Sequence, residues 1–327
     1  MPPQWSSKFA LLAVVAVSPL ALAACGGGGD QVSAPSTSAG GNCPGTPVNV
    51  VVSVDQWGGI VSQLGGACAQ VHTVLASSSV DPHDYEPSPA DAATFEGAQL
   101  VVINGGHYDE WAAKLASTSA PDAPVISAID TVAGDAESHD HGDEAPGHGG
   151  DVNPHVWYNP TAVTDVADAV TAKLSELSPD AKEYFTTRRS DLTTQLAPYD
   201  SLIAEIKAAS TGKGYAATES VFDDMAAALG LQNRTPPGYQ AASSNETDPS
   251  PADLDAFLKL LGAKGVDVLI FNTQTEGSVP DQLRSAAEAA GVPVVNVTET
   301  VAPGAETFEA WQVDQLTSLA KALGVSA

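Results

Sequence analysis

His83 and His155 stand in two matching frames, Asp-Pro-His at 81–83 and Asn-Pro-His at 153–155. In each frame the proline fixes its own φ and pushes the preceding residue into extended geometry. A histidine placed there hangs from a loop with little entropy left to lose. That suits a metal ligand, which must meet its partners in one geometry. One such histidine would fit a structural or exposed position better; two matching ones shift the balance toward a metal. Two carboxylates could complete the set. Glu219, in ATESVFDDM, falls at a strand-to-helix junction, where loop side chains reach a cleft. Taken alone, it would serve equally as an acid at a helix N-terminus. Glu276, in IFNTQTEGSVPDQL, follows an apolar strand and taken alone is an exposed loop acid. Two neutral imidazoles and two carboxylates would balance a divalent ion.

A second concentration of ligand-type side chains is DAESHDHGDEAPGHGGD, residues 135–151. It holds three histidines, four aspartates and two glutamates. Such a composition cannot bury a core, and a solvated loop is its plain explanation. His139, His141 and His148 add weak, exchangeable metal capture to that. His107, in NGGHYDEW, follows a strand and is a lesser candidate for the cleft. His72 sits inside a strand pattern and is expected to be structural.

The elements that must position these residues alternate. VNVVVSV is a short β-branched run of the kind buried in a parallel sheet. It is followed by a helix pattern ended by glycines, DQWGGIVSQLGG, and then by the strand CAQVHTVL. SPADAATFEGA offers Ser88 as N-cap, Pro89 at the first helical position and Asp91 three residues on from the cap. QLVVING and APVISAI continue as strands, with a helix around YDEWAAKLA between them. From Asn159 about fifty residues are mostly helical, with Val163, Val166, Ala167, Val170, Leu174 and Leu177 at 3.6-residue spacing. Ser178-Pro179 marks a new helix start or a kink, and Pro198 a second interruption. Strand–helix units resume from GYAATES. The fold class is therefore α/β: two lobes with parallel sheets, residues 44–158 and 212–327, around a helical region at 159–211, with a ligand cleft between them.

Composition bounds the function. At 43 % hydrophobic and 16 % charged residues the chain is globular, and its formal net charge of −27 repels nucleic acid and anionic headgroups. Residues 1–24 have a signal-peptide pattern, with Lys8 before the apolar run from Phe9 to Cys25. Leu22, Ala23, Ala24 and Cys25 resemble a bacterial lipoprotein signal, which implies cleavage before Cys25 and a lipid on its thiol. An ordinary signal with a stray cysteine is the alternative. Residues 25–43, rich in Gly and Ser, form a flexible tether. Of three cysteines, Cys43 and Cys68 then remain as an even pair in an exported chain, and a disulfide is expected; paired metal thiolates are the alternative, with no CxxC spacing to support them.

DPHDYEPSPAD, NPHVWYNP and ATESVFDDMAAALGL together resemble the ligand motifs of one family: the zinc/manganese-binding lipoproteins of bacterial ABC uptake systems, the cluster A-I, TroA-like, solute-binding proteins. The resemblance covers nearly all of the chain after the tether. It implies two α/β lobes joined by a long rigid helix, with a metal cleft between them. It carries the first three ligands over to His83, His155 and Glu219. Asn153 departs from the family's aspartate in the second motif. The fourth ligand has no clear match in FNTQTEGS; Glu276 is the choice by spacing, with Asn272, Gln274 or water as alternatives. The implied function is a lipid-anchored, extracytoplasmic receptor, expected to be a monomer, that hands a divalent metal to an ABC permease and performs no catalysis. Zinc is preferred for the imidazole-rich surroundings, and manganese is the alternative. A zinc hydrolase and a surface adhesin on the same fold are the rivals, although no HExxH motif is present.

Overall fold

A computed structural model of the chain describes residues 42–76, 85–136, 153–245, 247–275 and 277–326. β1 (Val48–Val54) is buried at every position except Asn49. That is the signature of a strand covered on both faces, as parallel sheets require. α1 (Asp55–Gly65) and a 3-10 turn (Gly66–Cys68) lead to β2 (Ala69–Leu75). α2 (Pro89–Phe95) starts with a reciprocal cap: the Ser88 hydroxyl accepts from Asp91 N, and the Asp91 carboxylate accepts from Ser88 N. β3 (Leu100–Ile103), α3 (Glu110–Ser119), β4 (Val125–Ser127) and α4 (Ala128–Ala136) complete the first lobe. Its sheet is parallel, in the order β2-β1-β3-β4.

A 3-10 turn (Val156–Tyr158) precedes α5 (Pro160–Leu177). Asn159 caps that helix by accepting from the amides of Thr161 and Ala162, with Pro160 in the first turn, where no donor is needed. Ser178-Pro179 begins a second helix, through a 3-10 turn (Pro179–Ala181) into α6 (Lys182–Ser210). Pro198 does not interrupt α6, contrary to the expectation from its ring. The helix runs through it, and Leu192, Leu196, Tyr199 and Leu202 on both sides are buried. Packing over that stretch offsets the one missing donor, a cost of about 3 kcal/mol.

The second lobe repeats the first. β5 (Gly214–Ala217), a 3-10 turn (Ser220–Phe222), α7 (Asp223–Ala228), β6 (Gln232–Asn233), α8 (Pro237–Ser244), α9 (Pro251–Gly262), β7 (Val268–Asn272), α10 (Ser278–Ala290), β8 (Val294–Val297) and α11 (Phe308–Ala322) follow in order. Its parallel sheet has the order β6-β5-β7-β8. β6 and α8 were not anticipated; β6 has only two residues, and α8 opens on Pro236-Pro237, which looks like a loop.

One hydrophobic core runs through both lobes. It includes Val50 and Val102 of the first sheet, Val163 and Val170 of α5, Leu192 of α6, Ile270 and Val297 of the second sheet, and Leu316 of α11. A smaller cluster around Phe257, Leu261 and Leu283 lies wholly in the second lobe. α6 packs against α5, α1 and α11, and so touches both lobes. The Cys43–Cys68 disulfide, with its Cα atoms 5.0 Å apart, ties the segment before β1 to the turn after α1. Among the described residues no helix is long and apolar enough to cross a membrane.

Candidate functional site

In both sheets the strand order reverses between two central strands, β1/β3 in the first and β5/β7 in the second. Side chains just beyond the carboxyl ends of such strands face the crevice where open α/β sheets bind ligands. Glu219 is two residues past β5, and Asn272 ends β7. Glu299 is two residues past β8. Asn272 pairs in register with Val297, which brings the ends of β7 and β8 side by side.

Three of these side chains meet. Asn272 Nδ2 donates to Glu219 Oε2 and, at 2.8 Å, to Glu299 Oε1. The other Glu299 oxygen, Oε2, lies 3.8 Å from His155 Nε2 and accepts from the Tyr108 hydroxyl at 3.4 Å. Glu299 and His155 are both buried, at 5 % and 6 % exposed. His155 stands edge-on to the rings of Tyr108 and Trp157, with centroids 6.0 and 5.3 Å away. The imidazole therefore sits in a dry, aromatic wall, where a charge–ligand contact is worth more than in water.

Asn153 orients His155. Its Oδ1 lies 2.7 Å from His155 Nδ1 and accepts from His155 N at 3.1 Å. With the Nδ1 proton on that contact, Nε2 is turned toward Glu299. The Asn153 amide nitrogen donates across the cleft to Ser220 O, next to Glu219, at 2.9 Å. An aspartate, which the resemblance implies at this position, would lack that donor, so Asn153 adds a link between the lobes.

A second layer fixes the Glu299 turn. Gln274 Oε1 accepts from Glu299 N at 2.7 Å and from Thr300 N at 3.0 Å. From the first lobe, Gln56 Nε2 donates to Glu299 O at 2.8 Å, and Asp55 Oδ1 accepts from Val301 N at 3.3 Å. Burial pushes the Asp55 carboxyl up to about 6, against hydrogen bonds that lower it. Deeper in the first lobe, Asp109 is 1 % exposed and accepts from Ser53 Oγ and the amides of Asn104 and Gly105. Burial raises its carboxyl above the usual range although all three donors pull it down. Asn104 in turn donates to Pro154 O at 2.8 Å, which carries the network to the peptide just before His155.

The candidates named from the sequence divide as follows. His155 and Glu219 enter one cluster, linked through Asn272 and Glu299. His83 and Glu276 lie outside the described residues, as do Cys25, His139, His141 and His148. The oxygens of Asn272 and Gln274 are each engaged by backbone amides, Gln274 N in one case and Glu299 N and Thr300 N in the other. Both residues shape the cluster through those contacts. His107 is exposed, with a φ of 67°, and pairs with Glu110; its neighbour Tyr108 is the one that reaches the cluster. His72 is on the exposed face of edge strand β2.

Glu299 was passed over in the sequence. A signal was there: Thr218-Glu219 and Thr298-Glu299 each follow a strand at the same offset, in ATES and VTET. Glu299 and His155 are buried and Glu219 half-buried. Carboxylates and imidazole are the donor types a divalent cation takes. Among the described residues alone, no three His, Cys, Asp or Glu side chains stand close enough together to hold a metal ion.

Comparison with known proteins gives the chain a family and places its fold. A family model described as "ZnuA: Zinc-uptake complex component A periplasmic" matches residues 50–322. The high-affinity zinc uptake system protein ZnuA of Bacillus subtilis (strain 168) is 27 % identical over 287 residues, 86 % of this chain and 85 % of its own. The zinc-binding lipoprotein AdcA of Streptococcus pneumoniae serotype 4 is 25 % identical over 234 residues, 69 % of this chain and 45 % of its own, so this chain matches less than half of that relative. Among solved structures, the periplasmic zinc-binding protein TroA of Treponema pallidum aligns with a TM-score of 0.68 at 18 % identity, covering 85 % of this chain and 99 % of its own, and so shares the fold. With 50–322 matched by one family model and the strand order and lobe arrangement on the page, the chain belongs to the ZnuA family of zinc-uptake complex component A proteins.

Proposed function

We propose that this chain is an extracytoplasmic receptor that captures a divalent metal, zinc first among them, and delivers it to an ABC permease in the membrane. The observation that carries this reading is that Asn272 joins Glu219 to Glu299 at the strand ends of the second lobe, with His155 Nε2 3.8 Å from Glu299. His83, outside the described residues, is proposed as the remaining ligand of a four-coordinate ion, and Glu299 is proposed in the fourth place for which the sequence suggested Glu276. Uptake relatives named for zinc support the choice of metal. The protein holds and releases its cargo and performs no bond chemistry. Lipid on Cys25, a tether at 25–43 and a monomeric state belong to the same reading. So does a loop at 135–151 that gathers metal weakly through His139, His141 and His148.

Manganese is the second reading, favoured by the paired carboxylates, since hard oxygen donors suit that ion. Elemental analysis of protein purified without added metal, followed by calorimetric titration with zinc and with manganese, decides between them. One tight zinc site per chain is expected. A chain that carries neither metal and binds neither would overturn the reading. A tighter site for manganese would keep the receptor and change its cargo.

A further inference from the structure

Asn272 is 2 % exposed, and its backbone N–H and both ends of its side-chain amide are committed. Its backbone N donates to Thr218 Oγ1 at 3.1 Å, so the residue cannot slide along the strand. Its Oδ1 accepts from Gln274 N at 3.1 Å. Its two amide hydrogens go to two different carboxylates, Glu219 through Oε2 and Glu299 through Oε1. The amide has only one workable orientation. Turned over, it would set its oxygen against two anionic oxygens and its NH2 against the Gln274 N–H. A carboxylate oxygen that accepts such a bond is screened on that side and is a weaker donor to a metal. In Glu299 the oxygen bound by Asn272 is Oε1, whereas Oε2 is the one facing His155 Nε2 at 3.8 Å.

Resting on the metal-site reading above, we propose that Asn272 is a specificity-determining positioning residue. It holds back one oxygen from each of Glu219 and Glu299, so that each meets the ion through a single oxygen. Two single-oxygen carboxylates and an imidazole supply three donors and leave one place in the four-coordinate shell that zinc accepts. Manganese prefers more oxygens at octahedral spacing, which two-oxygen carboxylates would supply. Asn272 thereby selects against the larger shell without touching the ion.

The test compares wild type with Asn272→Leu, of similar size but without donors, and with Asn272→Ser, which keeps one donor. Zinc and manganese affinities are measured by competition calorimetry. X-ray absorption at the zinc and manganese edges counts the oxygens around each ion. Wild type should show four-coordinate zinc. Asn272→Leu should lower the zinc-to-manganese affinity ratio by about tenfold or more, the scale of a lost partner behind a metal ligand, and should raise the oxygen count. Asn272→Ser should fall between. A ratio within twofold of wild type in both variants overturns the proposal. So does a wild-type zinc shell with both carboxylates bound through two oxygens, a result that needs no variant to fold. His155→Ala separates the two levels. If it leaves zinc affinity unchanged, the metal-site reading fails and this proposal with it. If it abolishes binding while the Asn272 variants keep the wild-type ratio, only this proposal fails.

Discussion

The two lobes share a strand order and use buried carboxylates at its reversal in opposite ways. In the first lobe, Asp109 sits between the ends of β1 and β3 and collects Ser53 Oγ and the amides of Asn104 and Gly105. In the second, a single amide group, that of Asn272, serves both Glu219 and Glu299, with His155 opposite. One arrangement wraps an acid in backbone donors and uses it to hold a loop. The other brings two acids together beside an imidazole. A buried acid is therefore no sign of a binding site by itself; its neighbours decide. Backbone donors make a structural post, and a second acid makes a place for a cation.

The largest effect should come from the second lobe. His155→Ala or Glu299→Gln is expected to weaken zinc binding more than about 100-fold, beyond the range for partners that only support a ligand. Calorimetry reads this directly, and the melting temperature without metal should change little for Glu299→Gln. Asp109→Ala should do the reverse, lowering stability by about 3 kcal/mol, because the buried Ser53 hydroxyl and Asn104 amide and the half-buried Gly105 amide lose their acceptor. Urea unfolding without added metal measures it. Should Asp109→Ala lower affinity as far as Glu299→Gln while leaving stability intact, the contrast between the lobes is wrong.

The disulfide sharpens the comparison, since it belongs to the first lobe alone. Cys43 and Cys68 are 25 residues apart, and opening that loop should cost about 3 kcal/mol in the chain-entropy model, less where the unfolded chain keeps structure. Melting of the Cys43→Ser, Cys68→Ser double variant against oxidised wild type gives the value, and zinc affinity should stay within about twofold. The smallest effect is expected at Asp55, whose carboxyl burial raises to about 6. Its stabilising share is complete below the unfolded value near 3.8 and is lost as pH rises through 6. Asp55→Asn should therefore gain about 2 kcal/mol at pH 7.5, after allowance for the solvent that reaches the group, and nothing at pH 3.5. Unfolding curves at both pH values test it; a variant less stable than wild type at pH 7.5 would show that the charge itself is held by its partners.

Much of this was legible in the sequence because both lobes obey local rules. Apolar β-branched runs gave β1, β3, β7 and β8, and Ser88-Pro89-x-Asp91 marked the start of α2. Asn153-Pro-His155 and Glu219 were found because proline and a strand end mark loops where a ligand can sit. Glu299 was missed for a physical reason. The acid that spacing offers, Glu276, follows the strand VDVLIF, while the cluster is closed by the neighbouring strand β8, and register between strands is a long-range fact. The roles of Asn272 and Gln274 were hidden for a similar reason, since an amide is ligand or brace according to which of its two ends faces the acid. Pro198 misled because its local cost is outweighed by burial that only the packed helix reveals.

The core that runs from the first sheet through α5 and α6 into the second has a consequence for how the chain folds and comes apart. Apart from the small cluster around Phe257 in the second lobe, neither lobe closes its own apolar interior; each leans on helices that the other shares. Residues 39–327 accordingly form one compact unit. Two lobes on a diagram need not be two folding units, and denaturation should follow one sharp cooperative transition, with fluorescence and circular dichroism reporting the same midpoint. A chain cut between α6 and β5 would strip the helices of their second apolar face, and its halves should stay collapsed and unfixed until they are mixed.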